Sequence, residues 1–240
     1  MAQHAFWIHR AVEKLSKVPF IFDSLRWFLE AGFVQHRRLI ESAFPVLPAS
    51  LLDCGCGTGI YAKCFTPKSY LGIDISADYV EHARRCNPDY RFDVMDATSL
   101  GFPDCTFEAV IVSGVIHHLS NDDARAMLSE IWRVLRSEGK LLLWEDVQSR
   151  SQLNLVGKLV HRLDLGSYIR DEESYREIIA PGFEIDRIES VRSGFMDYVA
   201  FTATKQHLRK TPEENDSTSR VGVSAARSSY MNATEVGSSL

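Results

Sequence analysis

The sequence Leu51-Leu52-Asp53-Cys54-Gly55-Cys56-Gly57-Thr58-Gly59-Ile60 decides how the rest of this 240-residue chain is interpreted. Its two leucines predict a short buried strand, with Asp53 at the carboxyl end. Three glycines at alternate positions follow, and glycine lets the backbone turn sharply while leaving no Cβ to obstruct a ligand. In an open parallel sheet, ligands bind beyond the carboxyl ends of the strands, usually at the first strand-to-helix turn. The stretch predicts a ligand site; the alternative is a turn that merely connects a strand to a helix.

The glycine spacing and the acid before it narrow the choice of ligand. A dinucleotide-binding turn follows the pattern G-x-G-x-x-G, whose third glycine would stand where this chain has Ile60. Asp53 would repel a pyrophosphate but attract an ammonium or another cation. The pattern D-x-G-x-G-x-G resembles the first motif of the class I methyltransferases. That family binds S-adenosylmethionine, which carries an amino group and a sulfonium but no phosphate.

A second acid, Asp74, closes the predicted strand Tyr70–Ile75. An acid about 20 residues beyond the glycine turn accepts the hydroxyls of an adenosine ribose in such folds. The alternative is that Asp74 caps the next helix, but Ser76 already suits that role before a helix over 77–86. Ribose binding is the interpretation we favour for Asp74.

A third acid, Asp96, ends the predicted third strand over residues 90–96. The methyltransferase resemblance implies that Asp96 and the small Ala97 bind the adenine amino group; the alternative is a solvated loop acid. Taken together, the acids match a ligand that offers an ammonium, a diol and an exocyclic amine. The resemblance implies these cofactor-binding residues: Asp53, Gly55, Cys56, Gly57, Gly59, Asp74, Ile75, Asp96, Ala97 and Ser113.

The resemblance continues through the predicted fourth strand, residues 109–114. Phe102 to Glu108 is similar to the family's F-P-D-x-x-F-D sequence, with Glu108 in place of the usual Asp. Val115-Ile-His-His-Leu119 resembles the family's segment of two histidines between apolar residues. The resemblance also implies that the backbone of Ser113 contacts the methionine part of the cofactor.

Histidines 117 and 118 are the candidate catalytic residues. Because imidazole titrates near neutrality, His117 or His118 is suited to take a proton from a hydroxyl or amine nucleophile. The alternative is that one of them, His118 in particular, only holds the loop by hydrogen-bonding backbone. No other ligands are suitably spaced, so no metal site is predicted.

Alternating strands and helices between Val46 and Asp146 predict a parallel sheet. A helix from Asn121 should end with Gly139 in the C′ position, followed by a strand over 140–145. Two strands, 183–191 and 197–204, predict a final hairpin. We therefore expect an α/β fold: a doubly wound, mostly parallel, seven-stranded Rossmann-like sheet with a final antiparallel hairpin and an N-terminal helical cap.

The predicted domains are a helical cap (1–45), a methyltransferase domain (46–204) and a disordered tail (205–240). Helices over 4–17 and 20–43 are expected to cover the substrate pocket; the alternatives are packing on the outer face of the sheet and a peripheral membrane contact. A helical insertion over 147–182 is expected to shape the acceptor pocket. Its candidate acceptor contacts are Tyr168, Arg170 and Tyr175, while Glu145 and Asp146 either line the pocket or lie in a solvated loop.

Composition limits the partners. A net charge of −5 gives no basic footprint for nucleic acid. Five cysteines without a paired C-x-x-C spacing favour a reducing, cytoplasmic location. We expect neither a targeting segment nor a membrane-spanning one.

The resulting hypothesis is an S-adenosylmethionine-dependent methyltransferase. It would move a methyl group by in-line displacement to an O, N or C nucleophile of a small, apolar or aromatic molecule. The alternatives are a non-catalytic S-adenosylmethionine-binding protein and an NAD-binding oxidoreductase, although Ile60 and the terminal hairpin argue against the latter.

Overall fold

The computed structural model describes residues 19–148 and 168–206, and it leaves out the side chains of residues 19–23. Seven strands form one sheet in the order β3-β2-β1-β4-β5-β7-β6. The strands are β1 (Leu51–Cys54), β2 (Tyr70–Asp74), β3 (Arg91–Val94), β4 (Phe107–Ser113), β5 (Leu135–Asp146), β6 (Phe183–Ser193) and β7 (Met196–Lys205). Strands β1 to β5 pair in parallel, and β7 is antiparallel to both β5 and β6. The predicted doubly wound sheet with a final hairpin is confirmed.

Helices cover both faces of this sheet. They are α1 (Pro19–Leu29), α2 (Val34–Ala43), α3 (Ala77–Cys86), α4 (Asn121–Val134) and α5 (Glu172–Ile179). Apolar residues of α4 and α5 pack with the strands in one buried cluster, and apolar residues of α2 and α3 pack with them in another. Alternate side chains of a strand point to opposite faces, so both faces of the central strands are apolar.

The predicted helix over 20–43 is broken, which corrects that prediction. A short 3₁₀ turn, Ala31–Phe33, separates α1 from α2, and all three of its residues have positive φ. The cause is the hairpin turn between β6 and β7. The Leu29 carbonyl accepts the Phe195 N–H. The Glu30 carbonyl accepts the Ser193 hydroxyl together with the Phe33 N–H of the 3₁₀ turn, so the α-helical bonding does not continue here. The predicted helix over 4–17 lies outside the described residues.

Gly139 does not end α4, so that prediction was wrong. The helix ends at Val134, and the carbonyls of Arg133 and Val134 accept the N–H groups of Cys105 and Thr106. Because a neighbouring loop satisfies these terminal carbonyls, no glycine C-cap is needed. Leu135 begins β5 directly, five residues earlier than the predicted Lys140, by pairing with Phe107.

Smaller differences concern the connections. One 3₁₀ turn, Ala62–Cys64, follows the glycine turn. Residues 149–167 of the predicted helical insertion and residues 207–240 of the predicted tail lie outside the described residues. None of the helices described is long and apolar enough to cross a membrane. The carboxyl ends of β1, β2, β3 and β4 meet at one edge of the sheet, where the predicted site residues follow.

Candidate functional site

The glycine turn after β1 contains three residues in the left-handed region, with φ of 82° at Gly55, 53° at Gly57 and 76° at Gly59. A Cβ on Gly55 would lie 2.3 Å from Val115 Cγ2, and one on Gly59 would lie 2.8 Å from the Phe92 ring. A Cβ on Gly57 would meet nothing within 4 Å. Gly55 and Gly59 therefore allow the turn to pack against the protein, whereas Gly57 borders open space.

Asp74 connects the glycine turn to the end of β2. One carboxylate oxygen accepts the Gly57 N–H and the other accepts the Ser76 N–H, each at 2.8 Å. Burial raises the pKa of Asp74, while these backbone hydrogen bonds act in the opposite direction. Ser76 caps α3 by accepting the Tyr79 N–H, as predicted. Since each carboxylate oxygen accepts two hydrogen bonds, Asp74 still has acceptor capacity for a ligand diol.

Asp53 lies deeper than the sequence predicts. The strand runs on to Cys54, and Asp53 is completely buried within it. One carboxylate oxygen accepts the Tyr70 hydroxyl at 2.6 Å, and the other has no hydrogen-bond partner in the part of the chain that the structure describes. Burial raises the pKa of Asp53 to about 7, although the hydrogen bond from Tyr70 opposes the shift. A carboxyl group that is partly protonated at neutral pH attracts a cation less than an exposed aspartate would.

Asp96 lies two residues beyond the end of β3, in an exposed turn. Its carboxylate accepts the backbone N–H and the hydroxyl of Thr98, both at 2.8 Å, and these bonds lower its pKa. All three predicted acids act on the buried Cys54 thiol, whose pKa is raised by burial first and then by Asp53, Asp74 and Asp96. The structure thus brings the three carboxylates to one edge of the sheet.

The other predicted cofactor residues fall into two groups. Ile75 is 73% exposed beside Asp74, and Ala97 is half-buried against the core of the α4 face, so both border the strand ends. Cys56 is buried, and its sulfur fills the space beside Gly72. Ser113 ends β4, is half-buried, and opposes the burial that raises the pKa of the nearby Tyr61 hydroxyl.

Histidines 117 and 118 differ in their burial and in their contacts. His117 is buried, and its Nδ1 lies 2.7 Å from Glu145 Oε2 while its Nε2 lies 3.8 Å from Asp146 Oδ2. Glu145 also accepts the N–H groups of Val115 and Ile116, so it fixes the turn that carries His117. A solvated loop is therefore excluded for Glu145 and Asp146, which are both buried.

His118 is exposed, and its ring centroid lies 4.0 Å from that of His117. His117 has a carboxylate on Nδ1 that fixes its orientation, as in carboxylate–histidine pairs of other enzymes.

The proposed acceptor contacts around residue 170 support the histidine loop. The Arg170 guanidinium donates to the backbone carbonyls of Ile116 and Leu119 and to the Asn121 side chain. Tyr175 is buried, and its hydroxyl donates to the Asp146 carbonyl. Of the three residues predicted, Tyr168 alone is exposed.

A cluster of polar side chains beneath α1 and α2 was missed by sequence reasoning. It consists of Glu30, His36, Tyr61 and Trp144, all buried on the sheet face that α2 covers. The Tyr61 hydroxyl lies 2.9 Å from His36 Nδ1. One sequence signal was available: His36 falls at helical spacing with Phe33, Leu39 and Ile40, which places a polar residue on an apolar face.

The residues at the strand ends suit S-adenosylmethionine on structural grounds. Gly57 borders open space, Asp74 retains acceptor capacity, and the exposed Ile75 offers an apolar surface for a flat base. Within residues 19–148 and 168–206, no group of three or more His, Cys, Asp or Glu side chains could hold a metal ion.

The methyltransferase domain family matches residues 52–143, which run from β1 into β5. This stretch is a class I methyltransferase domain. A solved S-adenosylmethionine-dependent methyltransferase from Methanosarcina mazei aligns with a TM-score of 0.55 at 20% identity, covering 70% of this chain and 96% of that one. The [4+2]-cyclase SpnF aligns with a TM-score of 0.58 at 24% identity, covering 71% of this chain and 80% of its own. Both likenesses concern the fold alone.

Relatives of the methyltransferase domain differ in what their names say they methylate. The mouse probable tRNA methyltransferase 9B is 40% identical over 57% of this chain, which spans only 29% of that relative. The Thermotoga maritima demethylmenaquinone methyltransferase is 34% identical over 56% of this chain and 61% of its own length. The family and fold are therefore established for the domain, whereas the acceptor class is not settled by these relatives.

Proposed function

We propose that this protein is an S-adenosylmethionine-dependent methyltransferase acting on a small, neutral, apolar or aromatic molecule. The observation that best supports binding of this cofactor is the hydrogen bond from the Gly57 N–H to Asp74. This bond fixes a glycine that borders open space beside an acid with acceptor capacity. Five unpaired cysteines support a reducing, cytoplasmic setting.

The residues at the strand ends would divide the cofactor among them. Asp74 would accept the ribose hydroxyls, Asp96 with Ala97 would bind the adenine amino group, and Ile75 would pack on the adenine ring. The Gly57 backbone and the end of β4 at Ser113 would border the methionine part. Once bound, the cofactor supplies a methyl group on a sulfonium, which is already a good leaving group. The protein then has to orient the nucleophile and exclude water.

His117 is the proposed general base for an acceptor that carries a proton. Glu145 on Nδ1 would hold the imidazole in one orientation, which leaves Nε2 to receive the proton. Asp146, 3.8 Å from Nε2, would stabilise the imidazolium that results. His118 is the weaker candidate because it is exposed.

A small acceptor is favoured over RNA by charge. The chain carries 27 Lys and Arg against 32 Asp and Glu, and phosphate binding normally requires a basic surface. The 40% identity to a protein named as a probable tRNA methyltransferase keeps tRNA as a second candidate acceptor. The two differ in salt dependence, since RNA affinity falls steeply as salt rises.

Transfer of a radiolabelled methyl group from S-adenosylmethionine tests this proposal. The protein is incubated with a panel of phenols, amines and activated carbon acids, and separately with total tRNA at 50 and 200 mM salt. We expect label in one of the small molecules and none in tRNA. Label only in tRNA would overturn the acceptor class. No label anywhere, together with saturable cofactor binding, would favour the non-catalytic alternative.

A further inference from the structure

The buried cluster beneath α1 and α2 contains three polar side-chain atoms without a hydrogen-bond partner among the described residues, namely Trp144 Nε1, His36 Nε2 and Glu30 Oε2. Trp144 Nε1 and His36 Nε2 are both fully buried, and neither has a hydrogen-bond partner in the part of the chain that the structure describes. Buried polar atoms are nearly always paired, because an unpaired one loses its hydration without replacement. Two such atoms, one on each of two adjacent rings, therefore require an explanation.

The remaining contacts of His36 determine what its free nitrogen does. Glu30 Oε2 and the Tyr61 hydroxyl lie 3.3 and 2.9 Å from the same atom, His36 Nδ1. A proton on Nδ1 lies beside the Glu30 carboxylate and can be donated to the Tyr61 oxygen; in this tautomer, which the proposal adopts, Nε2 carries a lone pair. Burial lowers the pKa of His36 to about 4, which keeps the ring neutral at pH 7. Arg26 donates to Glu30 at 2.6 Å and balances its charge.

Aromatic rings surround this pair. The His36 ring centroid lies 5.5 Å from that of Trp144 and 4.8 Å from that of Tyr198, and Phe33 stacks on His36 at 6.0 Å. Tyr61 meets Trp144 edge-on at 5.3 Å. A site with such walls, one neutral donor and one neutral acceptor suits a flat aromatic ring bearing a hydroxyl, and it would reject a charged group.

The cluster adjoins the proposed cofactor site. Tyr61 follows the glycine turn by two residues and lies near Ser113, the last residue of β4, which opposes the burial that raises the pKa of Tyr61. Trp144 lies beside Ser113 in the β4–β5 ladder. A ring held by His36 and Trp144 would therefore lie next to the end of β4, where the methionine part of the cofactor is proposed to bind.

The linker that covers the cluster, residues 31–33, has a strained backbone at the point where a ligand would have to enter. Ala31, Gly32 and Phe33 have φ of 49°, 70° and 59°, and left-handed backbone is unfavourable for alanine and phenylalanine. Phe33, which covers His36 and Tyr61, belongs to this linker. Relaxation of the linker would withdraw the Phe33 ring and admit a ligand ring of similar size.

We propose that His36 and Trp144 form the acceptor-recognition pair, which binds a hydroxyl on an aromatic ring by accepting its proton in a hydrogen bond at His36 Nε2 and donating to its oxygen from Trp144 Nε1. Its identity as the methyl-acceptor site rests on the proposed function, whereas the binding itself does not.

Calorimetric titration of the full chain with 2-naphthol and with 2-methoxynaphthalene tests the pair. Trp144→Phe removes the donor and should weaken both ligands by about fivefold or more. Asparagine reproduces Nδ1 but not Nε2 of histidine, and glutamine reproduces Nε2. His36→Asn should therefore weaken 2-naphthol alone by about fivefold or more, and His36→Gln should retain more of its affinity. Trp132→Phe, which loses an indole bonded to the Gln206 carbonyl, is the matched control and should change neither affinity.

The same variants are titrated with S-adenosylmethionine, whose affinity should not change. The recognition pair is overturned if Trp144→Phe and His36→Asn bind 2-naphthol as tightly as the wild type does. It is also overturned if the wild type does not bind 2-naphthol. A thermal melt separates misfolding from lost recognition: Trp144→Phe removes an unpaired donor but leaves a cavity at a fully buried position, so we expect a lower melting temperature with a single cooperative transition above the titration temperature. Failure of the wild type to bind S-adenosylmethionine, with the naphthol pattern intact, would instead overturn the proposed function and leave the pair in place.

Discussion

Glu145 at the end of β5 holds His117 at 2.7 Å through Nδ1, across two parallel strands that are adjacent in the sheet. Its other oxygen accepts the N–H groups of Val115 and Ile116. One fully buried carboxylate therefore fixes both the backbone turn after β4 and the ring that the turn carries. The loop that borders the proposed reaction site depends on a strand end 30 residues away in sequence.

Replacing Glu145 by glutamine should destabilise the fold. The amide oxygen can keep one set of backbone bonds, but its NH₂ group would face N–H donors of the turn or of His117. We expect a loss of roughly 2–4 kcal/mol in the free energy of unfolding, measured by urea denaturation. Glu81→Gln, which removes an exposed ion pair with Arg85, is the control and should change stability by less than about 1 kcal/mol. Equal small effects would show that Glu145 does not fix the turn.

His117→Gln should lower turnover by at least about 100-fold if His117 is the general base. His118→Gln, at the adjacent exposed position, should change turnover by less than about threefold, a difference under 1 kcal/mol. S-adenosylmethionine affinity, measured on both variants, separates a lost base from a disordered cofactor site. A His117→Gln enzyme that retains turnover within threefold would remove this residue from the mechanism.

Replacement by alanine should have different effects at Gly57 and at Gly55. Gly57→Ala places a methyl group in open space, so we expect a small loss of stability from its φ of 53° but at least a tenfold loss of cofactor affinity. Gly55→Ala would bring a Cβ to 2.3 Å from Val115 and should lower the melting temperature strongly. Thermal melts and calorimetry on both variants check this. Normal cofactor affinity in Gly57→Ala would place the ligand elsewhere.

The stability of Asp53→Asn relative to wild type should increase as pH rises. The pKa of Asp53 is raised from 3.8 to about 7, so the folded state binds this proton more tightly than the unfolded state. This tighter proton binding stabilises the folded state. The stabilisation is fully present below pH 3.8 and is lost as pH rises through 7. Asparagine removes this dependence.

The melting temperature of Asp53→Asn relative to wild type should therefore increase by a few degrees between pH 5 and pH 8. Asp171→Asn is the control: the pKa of this helix-capping carboxyl lies below its ordinary range, so it stays ionised throughout that interval. A pH-independent difference for Asp53→Asn would contradict the raised pKa.

Local sequence rules were sufficient where the structure is determined by neighbouring residues. Positive φ at Gly55, Gly57 and Gly59, the cap at Ser76 and the antiparallel final hairpin all follow from short patterns. Asp74 was placed correctly because its position at a strand end depends only on the period of β2.

Predictions failed where distant residues decide the outcome. The break after α1 arises because the β6–β7 turn takes the carbonyls of Leu29 and Glu30, a contact spanning more than 160 residues. Asp53 was expected at the mouth of the turn, but one more strand residue and Tyr70 place it in the core. The pairing of His36 with Tyr61 and Trp144 joins three separate segments, so no single stretch could reveal it.

Calorimetric titration of the full chain with S-adenosylmethionine, alongside NAD, tests the central claim most directly. Wild type should bind S-adenosylmethionine saturably and NAD not at all, because the glycine turn has Ile60 where the dinucleotide pattern G-x-G-x-x-G requires its third glycine. Asp74→Asn, which can still accept the Gly57 N–H but loses its charge and one acceptor, should bind at least tenfold more weakly. Absence of heat with S-adenosylmethionine, or heat with NAD, would contradict the account.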